Sequence, residues 1–138
     1  MQIRVALSSD AAAVEALLRA VPGVWQPAWR SDVVTRAIEA AAGLAFVAAE
    51  GARVIGFACA HDTSFRAYLS ELVVADASQW KGIGRALLSA IQQAIAARGC
   101  AVLVADVHPP AAAFYRALGW SEPRATLLRI ALPSNDRA

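Results

Sequence analysis

The sequence predicts an α/β chain of the α+β kind, with a mixed, mostly antiparallel twisted sheet of six to seven strands flanked by about four helices. Three observations carry this prediction. Short β-branched and aromatic runs broken by turn residues fill positions 44–75, and apolar residues recur at helical spacing before and after that stretch. The 138 residues, 58% hydrophobic and 17% charged, suffice for one core but not for two of ordinary size. A single domain over residues 1–133 is expected, with 134–138 as a frayed tail.

Each element has its own local reason. Residues 3–7 follow the apolar pattern of a strand, and Ser8, Ser9 and Asp10 offer side-chain oxygens to the orphan amides of a helix start. Val14, Leu17, Leu18 and Val21 then share one helical face, and Pro22-Gly23 stops that helix. The irregular stretch 24–29 leads to a Ser31-Asp32 cap and a second helix with Val34, Ile38 and Ala41 inward, ended by Gly43. Glu50-Gly51-Ala52-Arg53 turns residues 44–49 back onto 54–60 as a hairpin. His61-Asp62-Thr63-Ser64 makes the next turn, and 68–75 completes a meander. After the polar, strand-breaking residues 76–81, a long helix is expected over 82–98, with Ile83, Leu87, Leu88, Ile91 and Ile95 inward and Gly99 as its C-terminal cap. Residues 101–107 read as another buried strand, Pro109-Pro110 opens a short helix through Leu118, and 126–132 read as the last strand.

Composition excludes several functions. Thirteen basic and eleven acidic residues are scattered without a basic block, so nucleic-acid binding is not indicated. The longest apolar run, 40–49, is about half the ~20 residues of a membrane span, and the N-terminus lacks the pattern of a secretory signal, so a cytoplasmic protein is expected. Cys59 and Cys100 have no metal-ligand spacing and read as free thiols; no metal is expected.

The informative segment is 72–88, a strand, a tight loop with Gly82 and Gly84, and a helix. Glycines let backbone approach a ligand closely, and the first-turn amides of a helix lack internal acceptors, so this arrangement favours a phosphate or pyrophosphate. Lys81 and Arg85 add positive charge beside it; the alternative is a helix that merely begins with Gly-x-Gly. The spacing of a phosphate-binding NTPase loop is absent, and Leu87 stands where a dinucleotide motif needs its third glycine. Gln79, Gly82 and Gly84 instead match Gln/Arg-x-x-Gly-x-Gly/Ala, and Ala112, Phe114, Tyr115, Leu118, Gly119 and Trp120 match Ala-x-x-Phe-Tyr-x-x-Leu-Gly-Phe, with Ala112 one residue nearer the Phe than that spacing and Trp120 in place of the last Phe. In both, the chain resembles the GNAT superfamily of N-acetyltransferases. The likeness in element order covers roughly residues 2–132, and the motifs lie in its central part.

That resemblance implies acetyl-CoA as cosubstrate and assigns residues to it. Backbone groups of Leu72, Val73 and Val74 would meet the pantetheine arm, and those of Gln79, Trp80, Lys81, Gly82, Ile83, Gly84 and Arg85 would hold the pyrophosphate. Tyr115 matches the tyrosine that protonates the departing thiolate, a role open to a hydroxyl with an ordinary pKa of about 10; the alternative is an aromatic packing the core. Two departures stand out: Pro109 where the family often has Asn, and no Pro near Asp76. A homodimer is an expectation from the family only.

An amine acceptor must lose a proton before it attacks, since an alkylammonium has a pKa near 10.4. Glu71, a carboxylate in an otherwise apolar strand, is the candidate base; the alternative is a solvent-facing or arginine-paired strand residue. His61 and Asp62 end a strand and could serve as base or amine-binding group, or simply build a turn. His108 could sit near the cofactor or be structural. Trp25 and Trp29 could line an acceptor pocket, or serve as core or dimer contacts. Neither cysteine has a base beside it in sequence, so direct attack on acetyl-CoA is preferred to a covalent acyl-enzyme. The leading reading is an acetyl-CoA-dependent N-acetyltransferase acting on a primary amine. The alternatives are a protein N-terminal or lysyl acetyltransferase and a non-catalytic CoA-binding module.

Overall fold

A computed structural model of the chain describes residues 1–79 and 81–133. In chain order the elements are β1 (Gln2–Val5), α1 (Ala11–Ala20), α2 (Val33–Ala41), β2 (Ala45–Glu50), β3 (Arg53–Asp62), β4 (Ala67–Val74), α3 (Ile83–Ala97), β5 (Leu103–Val104) and α4 (Ala112–Ala117). Short 3-10 turns occupy Ser8–Asp10, Asp76–Ser78 and Pro109–Ala111. The chain divides into two compact units, Met1–Ala105 and a second that begins at Asp106. Among the described residues no helix is long and apolar enough to cross a membrane.

The first unit is built on one five-stranded sheet in the order β1-β2-β3-β4-β5, antiparallel except for the parallel pair β4–β5. β3 is the central strand, and Val54 to Ala60 are all buried because helices cover both of its faces. The two faces can be told apart by contact. A Cβ added at Gly56 would run into Leu87 and Ile83 of α3, whereas the Cys59 thiol reaches the Ala37 carbonyl of α2. Ile83, Leu87, Leu88, Ile91 and Ile95 are all buried, as their helical spacing predicts.

Capping differs from the expectation at both early helices. Asp10 does not cap α1; its carboxylate accepts the Leu7 N–H at 2.7 Å and takes both Arg4 guanidinium nitrogens at 2.8 Å, tying β1 to the turn. Asp32 does not cap α2 through its side chain, which instead meets Arg30 and Arg36. At the other end of α2 it is Ala42, with φ 50°, that takes the left-handed position ahead of Gly43, and Arg98 donates to the Ala42 carbonyl.

The sheet has five strands among the described residues, where six to seven were expected. Residues 101–107 contribute only the two half-buried residues of β5, and 126–132 form no strand. Leu127, Leu128, Ile130 and Leu132 are 70–86% exposed, so their apolar, strand-like pattern is not matched by a ladder partner here. A strand pattern records propensity, while a strand exists only where another edge supplies its hydrogen bonds. Trp80 and residues 134–138, including the expected tail, lie outside the described residues.

Candidate functional site

The loop between β4 and α3 has a defined shape. Asp76–Ser78 makes a 3-10 turn, and the Gln79 amide then donates to the Val74 carbonyl at 3.3 Å and to Asp76 Oδ1 at 3.1 Å. Gln79 therefore braces the loop against the end of β4 with its side chain. Gly82 is the N-cap of α3 with φ 78°, a left-handed conformation that strains any L side chain. Among the described residues beyond its chain neighbours, no atom lies within 4 Å of where its Cβ would stand, so these residues leave space over the helix start. The first bond from the cap is Ala86 N–H to the Gly82 carbonyl at 3.0 Å, which leaves the amides of Ile83, Gly84 and Arg85 without intrahelical acceptors. Lys81 and Arg85 are exposed beside them. With fifteen residues of α3 behind it, this helix start can hold an anionic group by amide donors and dipole.

Next to the loop, β4 has an open edge. β5 pairs with it only through Ala67↔Leu103 and Tyr68↔Val104, so from Leu69 onward the outer edge of β4 has no neighbouring strand among the described residues. Leu72, Val73 and Val74 lie on that stretch, with Val73 buried and the other two half-buried. Alternation along the strand turns the backbone groups of Leu72 and Val74 to this side. The Val74 carbonyl already accepts the Gln79 amide, and the groups of Leu72 lie along the open edge for an extended ligand, as in strand addition. A register shift adds to this geometry. Glu71 pairs with Cys59 but Leu69 with Ala60, so Ser70 is the extra residue of a bulge, and its hydroxyl donates to the Cys59 carbonyl at 3.1 Å.

The face of the sheet under α2 carries the titratable groups. Glu71 is half-buried and opposite Cys59, and His61, two residues along β3, brings Nε2 to 3.6 Å from Cys59 Sγ. The sequence reading that no base lies beside Cys59 is thereby corrected: residues i and i+2 of a strand share a face, and that spacing was the available signal. Burial, with the Glu71 charge adding to it, pushes the Cys59 thiol up to about 11. It is a neutral thiol at physiological pH, poorly suited to act as a nucleophile. Asp62 serves the turn, its carboxylate accepting the Ser64 N–H at 2.7 Å.

Trp25 and Trp29 pack edge to face with ring centroids 5.2 Å apart, and the Arg19 guanidinium of α1 sits 4.0 Å over the Trp25 ring. In the second unit, Tyr115 lies on α4 with Phe114 and Trp120 each T-shaped against it at 5.2 Å. Burial raises the Tyr115 pKa above its ordinary value, so the hydroxyl stays a proton donor at neutral pH. The Trp120 indole N–H is buried with no acceptor among the described residues, while His108 is exposed.

The fold is shared with proteins of known structure. A family model described as the acetyltransferase (GNAT) family matches residues 11–120. An acetyltransferase of Trypanosoma brucei is 21% identical with a TM-score of 0.69, over 95% of this chain and 99% of its own. The PaiA N-acetyltransferase of Thermoplasma acidophilum, solved with coenzyme A, is 17% identical with a TM-score of 0.74, over 91% and 92%. The aminoglycoside N-acetyltransferase AAC(6')-Iy, solved with CoA, is 20% identical with a TM-score of 0.74, over 94% and 93%. At these identities the likeness shows the fold. No curated protein matches the sequence.

Proposed function

Because the chain belongs to the acetyltransferase (GNAT) family, we propose that it transfers an acetyl group from acetyl-CoA to a primary amine by direct attack. The observation that carries this reading is the left-handed Gly82 at the start of α3, with open space above it, beside the unpaired edge of β4. These features fit a pyrophosphate followed by an extended amide-bearing arm. The amides of Ile83, Gly84 and Arg85 bind the diphosphate, with Lys81 and Arg85 balancing its charge. The edge of β4 at Leu72, Val73 and Val74 orients the arm. When bound, acetyl-CoA supplies the activated thioester.

The remaining work is proton management. Glu71 accepts the proton that the ammonium must lose, directly or through a water, and Tyr115 donates its hydroxyl proton to the departing thiolate. The neutral Cys59 thiol favours direct attack over an acyl-cysteine. Calorimetric titration with acetyl-CoA, CoA and ATP tests the cofactor assignment; acetyl-CoA should bind with a Kd of roughly micromolar order and ATP should not. No binding of either CoA species by folded protein overturns it. Panels of small amines and of peptides then separate a small-molecule acceptor from a protein N-terminal or lysyl one. Binding without transfer to either panel would instead make the chain a CoA-binding module.

A further inference from the structure

We propose that Trp120 is a binding residue of the acetyl-transfer site: its buried indole N–H takes a carbonyl oxygen of the bound acyl-CoA arm, close to the sulfur that Tyr115 serves. The inference rests on the acetyl-transfer reading above and adds a residue that contacts the acyl donor.

The backbone fixes where this indole lies. α4 ends in a turn in which the Gly119 N–H donates to the Arg116 carbonyl at 3.0 Å and the Trp120 backbone N–H to the Tyr115 carbonyl at 3.1 Å. With Gly119 left-handed at φ 94°, these two bonds form a Schellman turn, which folds the residue after the glycine back onto the last turn of the helix. The Trp120 ring accordingly packs edge to face on Tyr115, with centroids 5.2 Å apart and planes at 77°. The turn that ends the helix thus holds the indole against the candidate acid.

The polar atom of the indole has no part in that packing. The Trp120 side chain is half-buried, yet Nε1 is shielded from solvent and is the one buried side-chain nitrogen or oxygen without a hydrogen-bond partner among the described residues. An indole nitrogen can only donate, so neither a tautomer nor a hydroxyl rotation can satisfy it. An enclosed donor left unpaired costs stability, and an enclosed Trp usually finds an acceptor. Phe, which the Ala-x-x-Phe-Tyr-x-x-Leu-Gly-Phe pattern carries here, would pack the same turn at no such cost. A ligand that brings an acceptor to Nε1 offsets the cost in the bound state. In an acyl-CoA, the groups nearest the sulfur include the thioester carbonyl and the amide carbonyls of the pantetheine arm. Each is a neutral acceptor suited to a neutral donor beside Tyr115.

The test reads the indole directly. The chain has four tryptophans, so a heteronuclear NMR spectrum carries four indole N–H signals. Trp120→Phe identifies one by its loss; if that variant does not fold, Trp25→Phe, Trp29→Phe and Trp80→Phe identify it by elimination. In the free wild-type protein the Trp120 signal should lie upfield, as an unbonded donor does. Saturating acetyl-CoA should move it downfield and slow its exchange with solvent, and ATP should do neither. In Trp120→Phe, which keeps a ring and loses the donor, acetyl-CoA should bind about three- to tenfold more weakly, the worth of one neutral hydrogen bond. An equal loss for free CoA assigns an arm amide as the acceptor, and a loss for acetyl-CoA alone assigns the thioester; both support the proposal. A signal that acetyl-CoA leaves in place, one already downfield in the free protein, or wild-type affinity in the folded variant overturns it. Calorimetry on the wild-type protein separates the two levels. Acetyl-CoA binding with an unmoved indole signal sinks the Trp120 role alone, and absent binding sinks the acetyl-transfer reading with it.

Discussion

Gly56 of β3 lies directly under Leu87 of α3: a Cβ on Gly56 would stand 2.9 Å from Leu87 Cδ1, 3.1 Å from Ile83 Cγ2 and 3.3 Å from the Ala48 Cβ. The glycine lets the first turns of α3 settle onto the sheet, and those turns carry the free amides of the candidate anion site. Gly56→Ala should lower stability by about 1–3 kcal/mol, the usual cost of overpacking a dense core. It should also weaken acetyl-CoA binding, because the helix start must lift or slide. Thermal unfolding and calorimetry on one preparation check both effects; an unchanged Tm would mean that Leu87 swings aside at no cost.

Gly82 makes a different demand. No described residue beyond its chain neighbours crowds its Cβ position, so its φ of 78° and the space over the helix start are what a side chain would spoil. Gly82→Val should leave a folded protein that has lost most of its affinity for acetyl-CoA, with a stability cost of about 1–3 kcal/mol from the strained backbone. Wild-type affinity in the folded variant would remove the loop from the cofactor site.

Tyr115→Phe isolates the hydroxyl while keeping the ring between Phe114 and Trp120. If Tyr115 protonates the leaving thiolate, kcat should fall about tenfold or more with the Kd for acetyl-CoA nearly unchanged. Burial raises this phenol above its ordinary pKa, which favours the neutral donor. The wild-type rate should therefore show no alkaline loss from Tyr115 between pH 7 and about 9. Unaltered kcat in the variant would dismiss the acid role.

Asp10 links β1 to the turn before α1. The Arg4 guanidinium holds its carboxyl below the usual carboxylate range, and the Leu7 N–H adds to this. A depressed folded value means that the stabilisation is full above the unfolded pKa of about 3.9 and is lost as the pH falls through the folded value. Denaturant midpoints should stay level near neutrality and drop on acidification below about pH 4. Asp10→Asn should cost about 1–3 kcal/mol at pH 7, since it leaves Arg4 without its partner, and should flatten that acid limb. Parallel acid profiles for variant and wild type would show that other carboxylates govern acid unfolding.

Much of this architecture was legible before any coordinates. Ile83, Leu87, Leu88, Ile91 and Ile95 are buried because one helical stripe can face only one way, and the Gly-x-Gly loop falls between a strand and a helix start as read. Asp10 takes the Leu7 N–H at the turn before α1 but does not cap α1 itself, and Asp32 does not cap α2, because Arg4, Arg30 and Arg36 engage the same carboxylates. Residues 101–107 and 126–132 carry strand patterns, yet only Leu103–Val104 pairs.

Local periodicity, which needs no knowledge of neighbours, determined the helices, the hairpin and the position of the candidate anion-binding turn. Only the tertiary structure decided what depends on register and on contacts across long sequence separations. The bulge at Ser70 sets Glu71 opposite Cys59, the pitch of β3 brings His61 to the thiol, and the fit of Gly56 beneath Leu87 seats α3. A period-two pattern names the faces of a strand but not its partner, and a one-residue slip would exchange every side chain between those faces.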